Sequence, residues 1–508
     1  PLQDIALEQM AAMKKFHELD IPHSGFYAEG AGATFYGEYK KEELYKVVSF
    51  GERHGFKVFS WQFPNMTQEL AQELLPECPK EELPITRNKN DEEEKLPVYI
   101  DFSHPRAKEL LAAQWKDRMD AGIRGSMVDF GDVVPDEAVF YDGRRGDEMH
   151  NAYAYQYAKN YRELFEQKYG DDHVLYTRGA APGSQHFACQ FGGDQLTSFQ
   201  GLKYAIAGGL SAAASGLPFW GVDAGGYDGF PDQETYLRWT EYAAFCPLMR
   251  FHGTEPREPW EYDAFTVKVY RYYTWLRENL RPYIVSVAAE AHKLGIPMMR
   301  PLAMMYPEDQ EATKVWDEYL FGEDLLVAPV SDETEEREIY FPEGRWISLW
   351  NLNDEISGPV QRSVEVPIDK IPVYIREGSF LPLRLNESLK LGESMSESET
   401  EMILAVVPQN DSIVKETLYE RSGAKTCCGM EKNGETIQLQ ISGRTAELYV
   451  MLAGIHWKST EAIVNGRTLT KVTAREGLYF TEGYLELEEG ILVKINPSAE
   501  SVIKIQKK

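Results

Sequence analysis

Hydrophobic residues in the first part of the chain follow two patterns that alternate. A spacing of three to four residues predicts helices over 2–20, 41–54, 105–120, 147–169, 199–214, 233–245 and 264–294. Short apolar runs between these helices predict eight strands, at 25–28, 56–61, 98–102, 125–132, 173–178, 189–194, 217–223 and 298–302. Strands that alternate with helices in this way are typical of a parallel sheet covered by helices.

The number of strand–helix units indicates the architecture. Eight units in roughly 300 residues favour an α/β fold of the (β/α)8 type, the TIM barrel. A doubly wound open sheet is the alternative, and it is disfavoured because no glycine-rich nucleotide motif follows the first predicted strand. The most membrane-like run, 202–222, contains Lys203, Pro218 and several glycines, so we interpret it as a buried segment of the barrel.

Beyond residue 304 the hydrophobic period changes to two. Short alternating runs lie between Pro and Gly turns, and Asn433-Gly434 and Asn465-Gly466 are strong hairpin signals. This part therefore predicts one or two C-terminal antiparallel β-sandwich domains. We place the domain boundaries at 1–303 for the catalytic barrel, 304–385 for a proximal β-sandwich and 386–508 for a distal one, with a Ser/Glu-rich linker over 386–401.

Two aspartates stand where predicted strands end. Asp129 follows the apolar run 125–128, and Asp194 follows two glycines. A strand buried on both faces has no use for a carboxylate, whereas α/β barrels carry catalytic groups at the C-terminal ends of their strands. We interpret the two as the carboxyl pair of glycoside hydrolysis, about 5–5.5 Å apart in a retaining enzyme. The alternative on sequence alone is that Asp129 caps a turn or helix and Asp194 is a turn residue.

Other polar and aromatic residues near strand ends have two interpretations each. Arg178 is suited to binding sugar hydroxyls or orienting a carboxylate, or to a salt bridge that closes the barrel top. Asp223 is suited to binding hydroxyls or to capping a glycine turn, and His252 to substrate contact or to a place in the core. Four aromatic side chains are suited either to stacking on a sugar ring or to core packing: Phe130, Phe191, Trp220 and Trp260.

Net charge and cysteine content limit the classes of binding partner and the cellular setting that we expect. The formal net charge is −28, from 81 acidic and 53 basic residues, which argues against nucleic acid and anionic membranes and fits a neutral small-molecule or oligosaccharide substrate. Five cysteines, with Cys427 and Cys428 adjacent, fit no disulfide framework, so we expect reduced thiols and a cytoplasmic setting. No metal-binding or serine-hydrolase motif occurs, and no cofactor is predicted.

Six linked motifs within 98–385 resemble glycoside hydrolase family 31. The motifs contain the candidate residues already named. In chain order they are Met127–Asp132, Arg178, Phe191–Asp194, Phe219–Tyr227, Pro247–Gly253 and Glu258–Trp260. The later run Leu325–Val330 also resembles the family. The resemblance implies a retaining α-glycosidase with a (β/α)8 barrel, an N-terminal β-sandwich and two C-terminal β-domains, without a cofactor. It implies that Asp129 is the nucleophile and Asp194 the general acid/base. It also implies sugar-binding roles for Arg178, Asp223 and His252, and offers Glu29 as the carboxylate that contacts distal hydroxyls.

The sequence departs from the family pattern in three places. The stretch Asp-Phe-Gly-Asp at 129–132 is closer to the α-xylosidase and sulfoquinovosidase branches than to the Asp-Met-Asn-Glu of many α-glucosidases. The basic and Trp residues of a sulfonate pocket are not evident in 29–39. The N-terminal β-sandwich is missing from this sequence, so we expect a fragment or a protein that lacks that domain.

The predicted function is that of a retaining exo-acting α-glycosidase, on an α-glucoside or α-xyloside, through a covalent glycosyl-Asp intermediate. Alternatives on the same scaffold are an α-galactosidase, a sulfoquinovosidase, a transglycosylase and an α-glucan lyase. A catalytically silent carbohydrate-binding protein is the alternative of another class. A homo-oligomer is compatible with the sequence.

Overall fold

The computed structural model describes residues 2–28, 41–87, 98–396, 401–410, 412–444, 446–457, 459–479, 481–498 and 500–508. The chain divides into two compact units, Pro1–Gly193 and Asp194–Lys508. Each unit has its own parallel strands, and the second also contains three six-stranded sheets in which most neighbouring strands are antiparallel.

The first unit is built on five parallel strands whose spatial order follows the chain. They are Gly25–Tyr27, Lys57–Gln62, Gly125–Val128, Val174–Thr177 and Cys189–Phe191. Its helices are Leu2–Glu18, Lys41–Arg53, Gln68–Leu74, Ala107–Ala121 and Gly146–Tyr169. The last helix buries residues spaced four apart on one face, Tyr153, Tyr157, Tyr161 and Phe165, as expected for a helix packed on a sheet.

The second unit begins with helices around two further parallel strands. The strands are Trp220–Asp223 and Leu248–Arg250, and the helices are Phe199–Ala214, Gln233–Ala244, Ala264–Asn279, Arg281–Leu294 and Leu302–Met305. The run 202–222 thus forms most of one helix and the start of a strand, and in the described part of the chain no helix is long and apolar enough to cross a bilayer.

Four predicted elements differ from the structure. Leu248–Arg250, where no strand was predicted, is a parallel strand. Val98–Tyr99 pairs antiparallel with Asn65–Met66 instead of joining the parallel sheet. Met299–Pro301 pairs antiparallel with Tyr319–Phe321. The long helix predicted over 264–294 is two helices, because Pro282 lacks the N–H that a continuous helix needs.

Three six-stranded sheets make up the rest of the second unit. The first contains Met299–Pro301, Tyr319–Phe321, Leu325–Val327, Val373–Arg376, Glu336–Ser348 and Asn351–Glu365. The second contains Phe380–Leu385, Glu401–Val406, Leu448–Ala453, Gly490–Ile495, Gly483–Glu486 and Thr470–Lys471. The third contains Ile413–Tyr419, Lys425–Asn433, Thr436–Ser442, Glu500–Lys507, Thr460–Val464 and Arg467–Thr468.

The second and third sheets share one hydrophobic core. Leu404 and Val450 from the second sheet pack in the same cluster as Leu439 and Ile503 from the third, which is the arrangement of a β-sandwich. The strand Phe380–Leu385, which lies before the predicted boundary at 385, pairs with Glu401–Val406 in the second sheet. The domain boundaries themselves stay predictions.

Candidate active site

Asp129 is the first residue beyond a fully buried strand. All four residues of Gly125–Val128 are buried, and Asp129 itself is only 3% exposed. Its backbone N–H donates to the carbonyl of Gln62 on the neighbouring strand over 3.0 Å. The carboxylate is therefore held at the C-terminal end of the sheet, where barrel enzymes place reactive groups.

Among the described residues of the first unit, Trp61, Phe130 and Arg178 contact the Asp129 carboxylate. Trp61 Nε1 donates to Oδ2 over 3.0 Å, and the backbone N–H of Phe130 donates to Oδ1 over 3.0 Å. Arg178 Nε lies 3.1 Å from Oδ1 in an ion pair. Trp61 reaches this point because it pairs with Met127, two residues before Asp129 on the same strand face. A buried carboxylate with these partners is compensated for its lost hydration and fixed in orientation.

Arg178 is itself held by its surroundings. The centre of its guanidinium lies 3.9 Å from the ring centre of Phe130, within the range of a cation–π contact. Phe130 has a left-handed backbone with φ of 56°, an uncommon conformation for an aromatic residue. Gly193 leaves room for the arginine, since a Cβ there would meet Arg178 Cδ at 2.9 Å. Backbone strain at Phe130 thus places its ring under the guanidinium.

A buried polar network supports this strand end from behind. The carbonyl of Gln62 also accepts a hydrogen bond from Tyr157 Oη over 3.1 Å, and Gln62 Oε1 accepts one from Arg118 over 2.6 Å. The Arg118 guanidinium lies 4.7 Å from the Trp115 ring. Trp61, Gln62 and Arg118 were not among the residues predicted from the sequence.

Phe191 lies beneath the site. It is buried and packs edge to face on Tyr176, with ring centres 6.0 Å apart. Tyr176 is two residues before Arg178, on the same strand face. Phe191 therefore belongs to the layer of side chains under Arg178, where packing is its evident role.

Asp194 opens the second unit and its side chain is exposed. The segment after it is fixed to the loop that follows Asp223. Gln195 Oε1 accepts a hydrogen bond from the Asp223 N–H over 3.2 Å, and the Gln195 carbonyl accepts one from the Tyr227 N–H over 2.8 Å. The structure thus brings the segment that carries Asp194 next to the strand end of Asp223.

Asp223 is fully buried and forms an ion pair with Arg250. The two residues are register partners at the ends of their parallel strands. Arg250 was not among the predicted site residues, because the strand that carries it was not recognised. The signal was present as an arginine two residues before His252.

His252 is half-buried and lies beside Tyr227, with ring centres 5.3 Å apart. Burial, together with the charges of Arg250 and Arg257, lowers the pKa of His252 to about 3. The imidazole is therefore neutral at neutral pH, with one nitrogen donating and the other accepting.

Two predicted residues stand apart from these groups. Trp220 lies three residues before Asp223, so strand alternation directs the two side chains to opposite faces. Its indole packs on the helix Phe199–Ala214, where a Cβ on Gly209 would meet Nε1 at 2.7 Å. Glu29 lies outside the described residues. No group of three or more His, Cys, Asp or Glu residues suited to a metal ion occurs within the described ranges.

Comparison with known proteins gives a family. The family model of the glycosyl hydrolases family 31 TIM-barrel domain matches residues 7–287, and that of the family 31 C-terminal domain matches 295–381. An isomaltosyltransferase of Sporosarcina globispora is 32% identical over 430 residues, which are 80% of this chain and 39% of that protein. An alpha-xylosidase of Emericella nidulans is 32% identical over 294 residues, 56% of this chain and 38% of that protein.

A solved structure shows the same fold over nearly the whole chain. The cycloalternan-forming enzyme from Listeria monocytogenes, in complex with a pentasaccharide substrate, matches with a TM-score of 0.89 at 23% identity over 99% of this chain and 53% of that one. The chain spans about two-fifths of the length of the curated relatives it matches. The predicted fold class, a TIM barrel followed by β-sandwich domains, is confirmed. The chain belongs to family 31 of the glycosyl hydrolases.

Proposed function

We propose that this chain carries the catalytic part of a retaining, exo-acting α-glycosidase. The observation that carries the proposal is the environment of Asp129. A buried carboxylate at a strand end receives two N–H donors and an arginine, and this holds it ionised and aimed. A nucleophile for an anomeric carbon needs both properties.

The reaction then runs in two displacements. Asp129 attacks the anomeric carbon while Asp194 gives its proton to the departing glycosidic oxygen. A water molecule next attacks the glycosyl-Asp129 ester, and Asp194 takes the proton from that water. The exposure of Asp194 fits this role, because the water of the second displacement must reach the group that takes its proton.

The charge states of Asp223 and His252 favour a neutral sugar as the substrate. The Asp223 charge is already balanced by Arg250, and His252 is neutral. Such groups exchange hydrogen bonds with hydroxyls without a net charge to be matched. A neutral sugar is therefore favoured over the anionic sulfoquinovoside. Among neutral sugars we propose an α-glucoside or α-xyloside, with an α-galactoside as the alternative.

Transfer to a sugar acceptor is a second candidate, and one observation favours it. Similarity to the isomaltosyltransferase extends over 80% of the chain, whereas similarity to the α-xylosidase covers 56%. In transfer, an acceptor hydroxyl replaces the water of the second displacement. Hydrolysis and transfer thus share Asp129 and Asp194, and differ in what occupies the leaving-group side.

A panel of α-linked aryl glycosides (gluco, xylo, galacto, sulfoquinovo) tests the proposal. The wild-type chain should act on at least one, with the anomeric configuration retained by NMR, and Asp129→Ala should abolish that activity. Asp194→Ala should lose kcat/KM on poor leaving groups and keep it on an α-glycosyl fluoride, which needs no acid, while kcat on the fluoride falls because hydrolysis of the glycosyl ester loses its base. Asp136→Ala, an exposed aspartate of the loop after Asp129, is the matched control.

The same panel separates the remaining alternatives. An unsaturated anhydro sugar as product would identify a lyase, and sugar binding without turnover would identify a silent binding protein. Wild-type rates in Asp129→Ala would refute the proposed mechanism.

A further inference from the structure

Phe230 is an exposed aromatic residue at the end of the loop that follows Asp223. It is 49% exposed, although its ring stacks on Tyr262 with centres 4.9 Å apart and planes 22° apart. The ring is therefore held in place by a partner while about half of the side chain stays open to solvent.

Phe230 is the outer member of a column of rings. Tyr262 stacks in turn on Tyr236, with centres 4.7 Å and planes 25° apart. Tyr236 is nearly parallel to Tyr270, with centres 6.3 Å and planes 8° apart. Tyr236 and Tyr270 are buried, so the column runs from the core to the surface and supports the Phe230 ring from one side.

Hydrogen bonds fix the loop that presents this ring. Tyr262 Oη donates to the Pro231 carbonyl over 2.8 Å. The buried guanidinium of Arg257 donates to the carbonyls of Gly226, Tyr227 and Gly229 over 2.9, 3.1 and 2.6 Å. A ring on so constrained a loop loses little conformational entropy when a ligand contacts it.

The loop also lies beside the segment that carries the proposed acid. Leu196 and Asp228 form a parallel bridge. Asp194 is two residues before Leu196, Phe230 is two residues after Asp228, and two residues span at most about 7 Å. Leu196 is itself 55% exposed. Leu196 and Phe230 therefore expose apolar surface on the two neighbouring segments, one of which carries Asp194.

We propose that Phe230 is a stacking platform for the sugar on the leaving-group side, a pyranose ring of an α-glucan. This inference rests on the proposed function and names a subsite for it. In the first displacement the platform holds the sugar whose oxygen leaves. In the second it holds an acceptor sugar, whose hydroxyl oxygen bonds to the anomeric carbon while the bond to Asp129 breaks and the proton passes to Asp194.

The platform makes a prediction that depends on the leaving group. An α-glucosyl fluoride has no ring on that side, whereas isomaltose and isomaltotriose do. Phe230→Ala should lower kcat/KM for the two oligosaccharides about tenfold, or about 1.4 kcal/mol, and leave that for the fluoride unchanged. Phe230→Trp, which keeps a stacking face, should restore the oligosaccharide value.

Controls separate this effect from misfolding. Tyr204→Ala removes an aromatic residue that is 63% exposed on the helix Phe199–Ala214. It should leave kcat/KM unchanged for the fluoride and for the oligosaccharides. Urea unfolding midpoints of all variants should match the wild type. The ratio of transfer to hydrolysis with added isomaltose should fall in Phe230→Ala alone.

The outcomes are distinguishable. Equal loss on fluoride and oligosaccharides, or no loss on either with an active wild-type chain, would overturn the platform and leave the proposed function standing. A wild-type chain that turns over none of the α-glycosyl fluorides of the four panel sugars would overturn the proposed function and the platform with it. A chain active on the galactosyl or sulfoquinovosyl fluoride alone would overturn only the α-glucan platform.

Discussion

Arg178 and Asp129 form an ion pair at adjacent strand ends, with Arg178 Nε 3.1 Å from Asp129 Oδ1. The pair is oriented from both sides, since Trp61 donates to the other carboxylate oxygen and the Phe130 ring lies under the guanidinium. The carboxylate therefore has one position and little freedom to rotate. A nucleophile held in one orientation lowers the barrier to attack, because less freedom is lost on reaching the transition state.

Arg178→Lys should lower kcat by about 100-fold or more, with a smaller change in KM, because an ammonium replaces neither the planar stack on Phe130 nor the contact through Nε. Steady-state kinetics on the best aryl glycoside measure this. Arg162→Lys is the control, since Arg162 pairs with Glu166 and Asp171 on the surface of the helix Gly146–Tyr169. Wild-type kcat in Arg178→Lys would mean that the ion pair has no catalytic role.

Gly226→Ala should destabilise the loop beside Asp194 far more than Gly229→Ala does. Both glycines have a left-handed backbone, with φ of 81° and 79°, but a Cβ on Gly226 would lie 2.4 Å from Thr197 Cα, whereas one on Gly229 has nothing within 4 Å. Both variants should lose about 1–2 kcal/mol for the backbone conformation. Gly226→Ala should lose about 1–3 kcal/mol more for the clash.

Denaturant unfolding and activity together check the glycine pair. The clash displaces the segment that follows Asp194, so Gly226→Ala should also lose activity while Gly229→Ala keeps most of it. Equal stability and equal activity in the two variants would show that the contact between the loop and this segment is unimportant.

The lowered pKa of His252 predicts a pH dependence of stability. The unfolded imidazole titrates near pH 6.5 and the folded one at about 3, so between these values the unfolded state binds the extra proton. The contribution of His252 to the free energy of unfolding is therefore complete above pH 6.5 and falls as the pH drops toward 3. Between pH 6.5 and 5 the loss is at most about 2 kcal/mol.

His252→Gln isolates this contribution, because glutamine does not titrate. The free energy of unfolding of His252→Gln should fall less between pH 6.5 and 5 than that of the wild type. His150→Gln, at an exposed position on the helix Gly146–Tyr169, should keep the wild-type slope. Identical slopes in all three proteins would contradict a depressed His252 pKa.

The sequence predicted most of the strands and helices because their apolar periods are clear, as at 125–128 and 146–169. The prediction failed where a strand is too short to show a period, or where tertiary contacts fix the strand with which it pairs. Leu248–Arg250 is a three-residue strand, too short for a period, and it ends in an arginine. Val98–Tyr99 and Met299–Pro301 have strand-like residues, but their antiparallel partners, Asn65–Met66 and Tyr319–Phe321, are fixed by tertiary contacts.

The residues of the candidate site, too, could be predicted only in part. Asp129 and Arg178 could be predicted because charged residues at the ends of buried strands are conspicuous. The role of Trp61 could not, because it depends on the register that pairs Trp61 with Met127. Trp220 kept two interpretations for the same reason, since only strand alternation shows that its side chain lies on the opposite face from Asp223.

Trapping a covalent intermediate would show whether Asp129 is the nucleophile. The wild-type chain would be incubated with a 5-fluoro-α-glycosyl fluoride of the preferred sugar, digested, and analysed by peptide mass mapping. We expect one added glycosyl group, on Asp129, which forms in the wild type and is absent in Asp129→Ala. A label on another residue, or turnover with inverted configuration and no intermediate, would contradict it.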